Sequence, residues 1–311
     1  MFNVSWAPWP PIYVVAYMSP QHTEEERDAE IETIAKFPMA IVGQSINARP
    51  WYERIRAINP DIKLLAYQMV AQDRAHITSG PGNNALATLN DPWIYDELGN
   101  PKLMPGEGTK LYDYRKSEWK PGIKSAVDAI LADGFFDGIF FDNCTAFSIH
   151  AQNSSGIFDP ALHADLLTHL QIGIDGVRAA YPNIPIIGNT SRDLIGVNGE
   201  MNEGRFEDLI EEVTGDNHQE PNLNVYFHIT SDFSNIRPFM ETCFDNKVHF
   251  AAQVDAQHYE WSPEFDEVIT RWKGTRAAPR RRHARSRNSQ NSSQRGRKYF
   301  GFGSGARAGG A

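Results

Sequence analysis

Residues 134–143 read Gly-Phe-Phe-Asp-Gly-Ile-Phe-Phe-Asp-Asn, and the fold turns on how this GFFDGIFFDN stretch is read. The apolar run Ile139-Phe140-Phe141 is entered through Asp137-Gly138 and stops abruptly on Asp142 and Asn143. A short, Phe-rich run bounded by Gly and Asp predicts a strand buried on both faces. A carboxylate at the end of such a strand is costly unless it is hydrogen-bonded, paired or working. In parallel α/β folds the C-terminal strand ends are where active sites are built.

Upstream, residues 116–133 repeat apolar residues at helical spacing, with Ile123, Ala126, Val127, Ile130 and Leu131 on one face. Before them, about residues 70–115, no period is sustained, and SGPGNN, NDP, LGNP and MPGEG punctuate the chain. A loop this long in a compact domain is usually functional or disordered, and its aromatic residues Trp93, Tyr95 and Tyr112 suit a lid or a subsite wall. Further upstream lie three strands, residues 13–18, 39–43 and 62–68. The first is followed by a helix whose start carries a capping box, Thr23 with Glu26. The second is followed by a helix over 49–58 with Pro50 in its first turn.

Downstream, Asp159-Pro160 marks the start of a helix reaching about residue 181, with Leu162, Leu166, Leu170, Ile174 and Val177 inward. Strands follow at 184–189, 199–203, 224–230 and 247–254, with helices at 206–213, 236–244 and 263–273. The strand at 134–143 is thus the fourth of eight. Eight strands alternating with helices in about 260 residues is the arithmetic of an α/β (β/α)8 TIM barrel with a long loop after strand 3. A doubly wound open sheet would show a Gly-rich first βα turn, and none follows residues 13–18.

The chain has 311 residues, 41% hydrophobic and 22% charged, an ordinary globular composition. No apolar run approaches the ~20 residues that span a bilayer. The start, MFNVSWAPWPP, has neither a basic n-region nor a long apolar h-region, so no signal peptide is expected. The only cysteines, Cys144 and Cys243, exclude a disulfide scaffold and a Cys-based zinc site. Residues 275–311 carry ten Arg and Lys and no acid, so of the overall charge of −9 the body, 1–274, holds −19. The division expected is a barrel domain over 1–274 and a disordered Arg/Ser/Gly-rich basic tail over 275–311. An acidic body argues against nucleic acid as the barrel's ligand.

In a barrel the residues just past each strand face one pocket. Here they include Tyr17, Gln44, Tyr67, Gln68, Asp142, Asn143, Asn189, Glu203, His228 and Asp255. Amides, tyrosines and a few carboxylates around one cavity suit a sugar, whose hydroxyls want amide and carboxylate partners and whose faces stack on aromatics. Metal-ligand spacing, a P-loop, GxSxG and HExxH are all absent, so neither metal nor cofactor is expected. Two carboxylates on opposing strands are what glycoside hydrolysis needs, one donating a proton to the leaving oxygen and one attacking or activating water. Asp142 leaves the fourth strand and Glu203 the sixth, so Asp142 is assigned nucleophile or base and Glu203 acid. Glu200 and Glu207 are rivals for the acid, Glu207 fitting better as a first-turn helix partner. Asp142-Asn143 could instead cap the next helix, His228 could be a core histidine, and Asp137 reads as a turn residue before the strand.

Three segments, FDGIFFDN at 136–143, GEMNEGRFED at 199–208 and HYEWSPEFD at 258–266, resemble a group of glycoside hydrolase TIM barrels of the hypothetical glycosyl hydrolase family 15 type. More remotely, they are similar to endo-α-1,4-polygalactosaminidase barrels. The resemblance covers about residues 12–273 and implies Asp142 and Glu203 as the catalytic pair and an extracellular setting; the function expected is hydrolysis of the O-glycosidic bonds of a polysaccharide, without a cofactor. A non-catalytic carbohydrate-binding barrel that retains the cleft is the alternative.

Overall fold

The computed structural model describes residues 12–16, 22–73, 80–189, 194–202, 223–229, 249–253 and 266, 267 and 270. Among the described residues there are eight strands: β1 Ile12–Ala16, β2 Met39–Val42, β3 Lys63–Met69, β4 Gly138–Asp142, β5 Ile186–Asn189, β6 Gly199–Asn202, β7 Leu223–Ile229 and β8 His249–Gln253. Each pairs in parallel with the next, and β8 pairs with β1, so the sheet closes on itself. Five α-helices are described: α1 Glu24–Ile34, α2 Arg49–Ile58, α3 Pro81–Ala87, α4 Trp119–Leu131 and α5 Pro160–Ala180. The helices expected at 206–213 and 236–244 and the tail at 275–311 lie outside the described residues. Of the segment 263–273, Asp266, Glu267 and Thr270 are helical.

The local signals act as physics requires. Thr23 accepts the Glu26 amide at 3.2 Å while Glu26 takes the Thr23 amide at 2.7 Å, so two orphan donors at the start of α1 are satisfied reciprocally. Asp159 accepts from the amides of Ala161 and Leu162 at the start of α5. The far end of α5 is tied by a residue that periodicity did not flag. The buried guanidinium of Arg178 donates to the carbonyls of Gly196 and Ile184 and to Asn198 Oδ1, which also accepts the Ile186 amide that opens β5. Burial lowers Arg178 to about 10.

Two apolar layers result from strand alternation. Met39, Ile41, Leu65, Tyr67, Met69, Phe140, Ile187 and Met201 form the cluster inside the barrel. Ala66, Ile139, Phe141 and Ile186 face outward and pack with Trp119, Ile123, Ile130, Leu166, Leu170 and Ile174 of α4 and α5. The described part of the long segment after β3, residues 70–73 and 80–115, sends Val70, Leu86, Ile94, Leu111, Tyr112 and Tyr114 into the core. It holds α3, then a small antiparallel ribbon with bridges Gln72–Leu111, Trp93–Tyr112, Tyr95–Pro101 and Leu103–Lys110. Trp93 stacks on Tyr112, which packs on Trp119. Tyr112 is therefore core rather than lid.

Each residue of 134–143 has a place in this frame. Gly134, at φ +67°, closes the turn after α4 in the left-handed region. Asp137 lies before β4 and accepts from the Leu64 amide at 2.9 Å and from Arg56 at 2.7 Å, so it clamps the end of the barrel away from the strand C-termini. At Gly138 a Cβ would stand 2.5 Å from the Pro185 carbonyl oxygen, so only glycine lets β4 and β5 approach here. Ile139, Phe140 and Phe141 are buried, and Asp142 ends the strand partly exposed.

Candidate active site

Phe140 is inside the barrel, so Asp142, two residues on, projects to the same side at its C-terminal mouth. Three donors, from β3, from β5 and from the residue after β4, converge on its carboxylate. The Tyr67 hydroxyl of β3 donates to Oδ2. The Asn189 side-chain amide of β5 donates to Oδ1 at 2.8 Å, and so does the Asn143 backbone N–H at 2.8 Å. A carboxylate that accepts from neutral donors of fixed direction is held in orientation, and among the described residues no cation contacts it. Tyr67 and Asn189 reach it for the same reason that Asp142 does. Tyr67 lies two residues from the inward-facing Leu65 and Met69, and Asn189 two from Ile187, so both are on the inner face, and β3 and β5 flank β4 in register.

Backbone contacts fix the frame around the acid. The Val70 amide donates to the Asp142 carbonyl at 3.0 Å, and the Cys144 amide to the Asn189 carbonyl at 2.8 Å. Between them Asn143 takes φ +51°, a left-handed conformation that Asn tolerates better than most side chains. Its side-chain amide lies 3.5 Å from Met69 Sδ, so it turns back across β3. Asn143 serves the carboxylate through its main-chain N–H. Cys144 is buried and unpaired, and burial, with the Asp142 charge nearby, pushes its thiol well up.

The remaining strand-end residues divide. Gln44 and Gln68 are buried, at 4% and 0% exposure, and their amides hydrogen-bond to one another and to the chain packed behind β3. They stand behind the site rather than lining it. His228 lies on β7, paired in register with Ala252, but its side chain is outside the description. Glu200 has its backbone on β6. Tyr17, Glu203, Glu207, Asp255 and the 258–261 aromatics lie outside the described residues.

Other polar groups near the mouth were not singled out by the sequence reading. The Tyr114 hydroxyl donates to the Thr145 carbonyl at 2.8 Å, tying the ribbon to the turn after β4. Lys102 donates to the His150 carbonyl at 2.6 Å. His150 is fully buried between Tyr114 and Phe147, and burial lowers it to about 4, with the polar backbone at Ala71 and Phe147 opposing. Among the described residues no group of three His, Cys, Asp or Glu is placed to hold a metal ion, and no helix is long and apolar enough to cross a membrane.

No family model and no curated protein matches the chain by sequence. Solved structures do match by shape. One is the glycoside hydrolase domain of PelA from Pseudomonas aeruginosa, at TM-score 0.53 and 10% identity over 79% of this chain and 96% of that one. The α-galactosidase from Lactobacillus brevis matches at TM-score 0.55 and 11% identity, over 86% of this chain and 40% of that one. The galactosidase domain of the α-galactosidase-sucrose kinase AgaSK matches at TM-score 0.55 and 10% identity, over 86% and 40%. At these identities the likeness is one of fold.

Proposed function

We propose that this chain is a (β/α)8 glycoside hydrolase that cleaves O-glycosidic bonds of a polysaccharide by a two-carboxylate mechanism, with Asp142 as nucleophile or base and Glu203 as acid. The observation that carries the reading is the oriented Asp142 carboxylate, inside the mouth of a closed parallel barrel and served by Tyr67, Asn189 and the Asn143 amide. A sugar ring at such a mouth meets a hydroxyl, an amide and a carboxylate, the groups that hydroxyls pair with. Met201, two positions before Glu203 in the sequence, is an interior residue of β6. The fold shared with three glycosidase structures supports the reaction class, and the resemblance of 136–143 and 199–208 supports the pairing. Tyr17, His228 and Asp255 complete the proposed sugar contacts.

In the mechanism proposed, Glu203 donates a proton to the departing glycosidic oxygen. Asp142 either attacks the anomeric carbon or takes a proton from the attacking water. The outcome follows the carboxyl separation, about 5 Å for retention and about 6.5–9.5 Å for inversion. The test is a screen of soluble polysaccharides and 4-nitrophenyl glycosides for released reducing ends or nitrophenol, with wild type, Asp142→Asn and Glu203→Gln. Each variant is expected to lose about 10²–10⁴-fold in turnover. Glycan binding without turnover by the wild type would replace the hydrolase reading with a binding barrel.

A further inference from the structure

Behind Tyr67 lies a closed set of amides that the reaction itself does not use. Gln44, two residues past β2, donates from Nε2 to the Tyr67 carbonyl at 2.8 Å and to Gln68 Oε1 at 2.9 Å, and its Oε1 accepts the Gly82 amide at 2.6 Å. Gln68 donates from Nε2 to the Met69 carbonyl at 2.7 Å and to Asn83 Oδ1 at 2.8 Å. Both side-chain amides therefore use all their N–H donors, and both oxygens are engaged. The backbone is shaped to sit on them. A Cβ at Gly80 would lie 2.3 Å from Gln44 Cγ, and one at Gly82 would lie 2.3 Å from Gln68 Oε1. The Gly80-Pro81-Gly82 start of α3 is thus seated flush on two buried amides.

The carbonyls these amides hold are those of Tyr67 and Met69. On the opposite face of β3 the Tyr67 hydroxyl donates to Asp142, and Met69 pairs with Asp142 in register and meets the Asn143 side chain. We infer that Gln44 and Gln68 are positioning residues of the Asp142 site: by fixing the end of β3 from behind, they set where the Tyr67 hydroxyl meets the carboxylate, and the seat of α3 keeps them in place. A buried amide that loses its partners leaves the others unsatisfied, so this set shifts as a unit rather than one bond at a time. The inference rests on the reading that Asp142 carries the chemistry, and its test is separable from that reading.

The test labels the protein with 3-fluorotyrosine and follows the Tyr67 fluorine resonance among the eleven tyrosines, assigned by its absence in Tyr67→Phe. Asp142→Asn shows the shift that a changed hydroxyl partner produces. Gln44→Met keeps the length of the side chain and removes its hydrogen bonds, and Asn83→Ala cuts the set at its α3 end. Both are expected to shift the Tyr67 resonance, with the double variant Gln44→Met/Asp142→Asn less than additive. On a glycan that the wild type hydrolyses, Gln44→Met is expected to lower kcat about 10–100-fold with KM little changed, and Gln44→Glu is not expected to rescue it, because a carboxylate cannot donate to Tyr67. A folded Gln44→Met or Asn83→Ala protein whose Tyr67 resonance stays at the wild-type position would overturn the inference, whichever of the two folds. Absence of turnover in the wild type would count against the hydrolase reading and leave the fluorine result to decide this one.

Discussion

Asp142 would be an expensive residue at a strand end if it were unserved, and its three donors are what make the position tenable. They also restrict its rotation, the more useful property for a group that must meet a reacting atom. His150 presents the opposite case, a titratable ring that is fully buried, where desolvation outweighs the nearby charges of Lys102 and Asp113. Its native value, about 4, lies below the ordinary histidine value, so between pH 6.5 and 4 the unfolded chain binds the extra proton and stability falls as pH falls. The expected loss between pH 7.5 and pH 5 is about 2 kcal/mol from this group, read by urea unfolding, and His150→Phe should flatten that slope. Asp142, Tyr67 and Asn189 were legible in the sequence because each ends a recognisable strand. The roles of Gln44 and Gln68 were not, since strand ends do not tell which side of the sheet an amide faces when the next segment folds back over it.

At the scale of elements, β4 and its neighbours were readable from short apolar runs, and helix starts from caps. Thr23→Ala should cost about 1 kcal/mol in thermal or urea unfolding, because the Glu26 amide loses its acceptor and the Glu26 carboxylate loses the hydroxyl donor, while the Thr23 backbone amide keeps its bond. Gly138→Ala should cost about 1–3 kcal/mol, since its Cβ would press on a backbone oxygen at Pro185 that cannot step aside like a side-chain tip. The segment after β3 was the hardest to read. α3 has seven residues and is built on Pro-Gly-Asn-Asn, a poor helical sequence, and it forms because Gln44, through the Gly82 amide, and Gln68, through Asn83, fix its first turn from outside. The ribbon bridges are isolated pairs between turns, too short to leave a two-residue period. Its aromatics read as a possible lid, whereas Tyr112 is packed against Trp119.

Over the whole molecule, closure of the sheet brings residues far apart in sequence to one mouth. Asp142 and Asn189 are 47 positions apart and Tyr67 and Asp142 are 75 apart, yet they share hydrogen bonds. That geometry follows from eight parallel strands in order, which the alternation of runs and helices could announce, though not which glutamate opposes Asp142. The charge division of the chain, +10 on 275–311 against −19 on 1–274, predicts that the barrel does not need its tail. Truncation after Gly274 should leave both Tm and glycan turnover at the full-length values, whereas a tail-borne function would be lost with it. The most direct test of the central claim is reducing-end release from a cognate polysaccharide by wild type and by Asp142→Asn, with folding of both checked by circular dichroism. The account predicts turnover by the wild type and a loss of about 10²–10⁴-fold in the folded variant. Full activity in Asp142→Asn would contradict it.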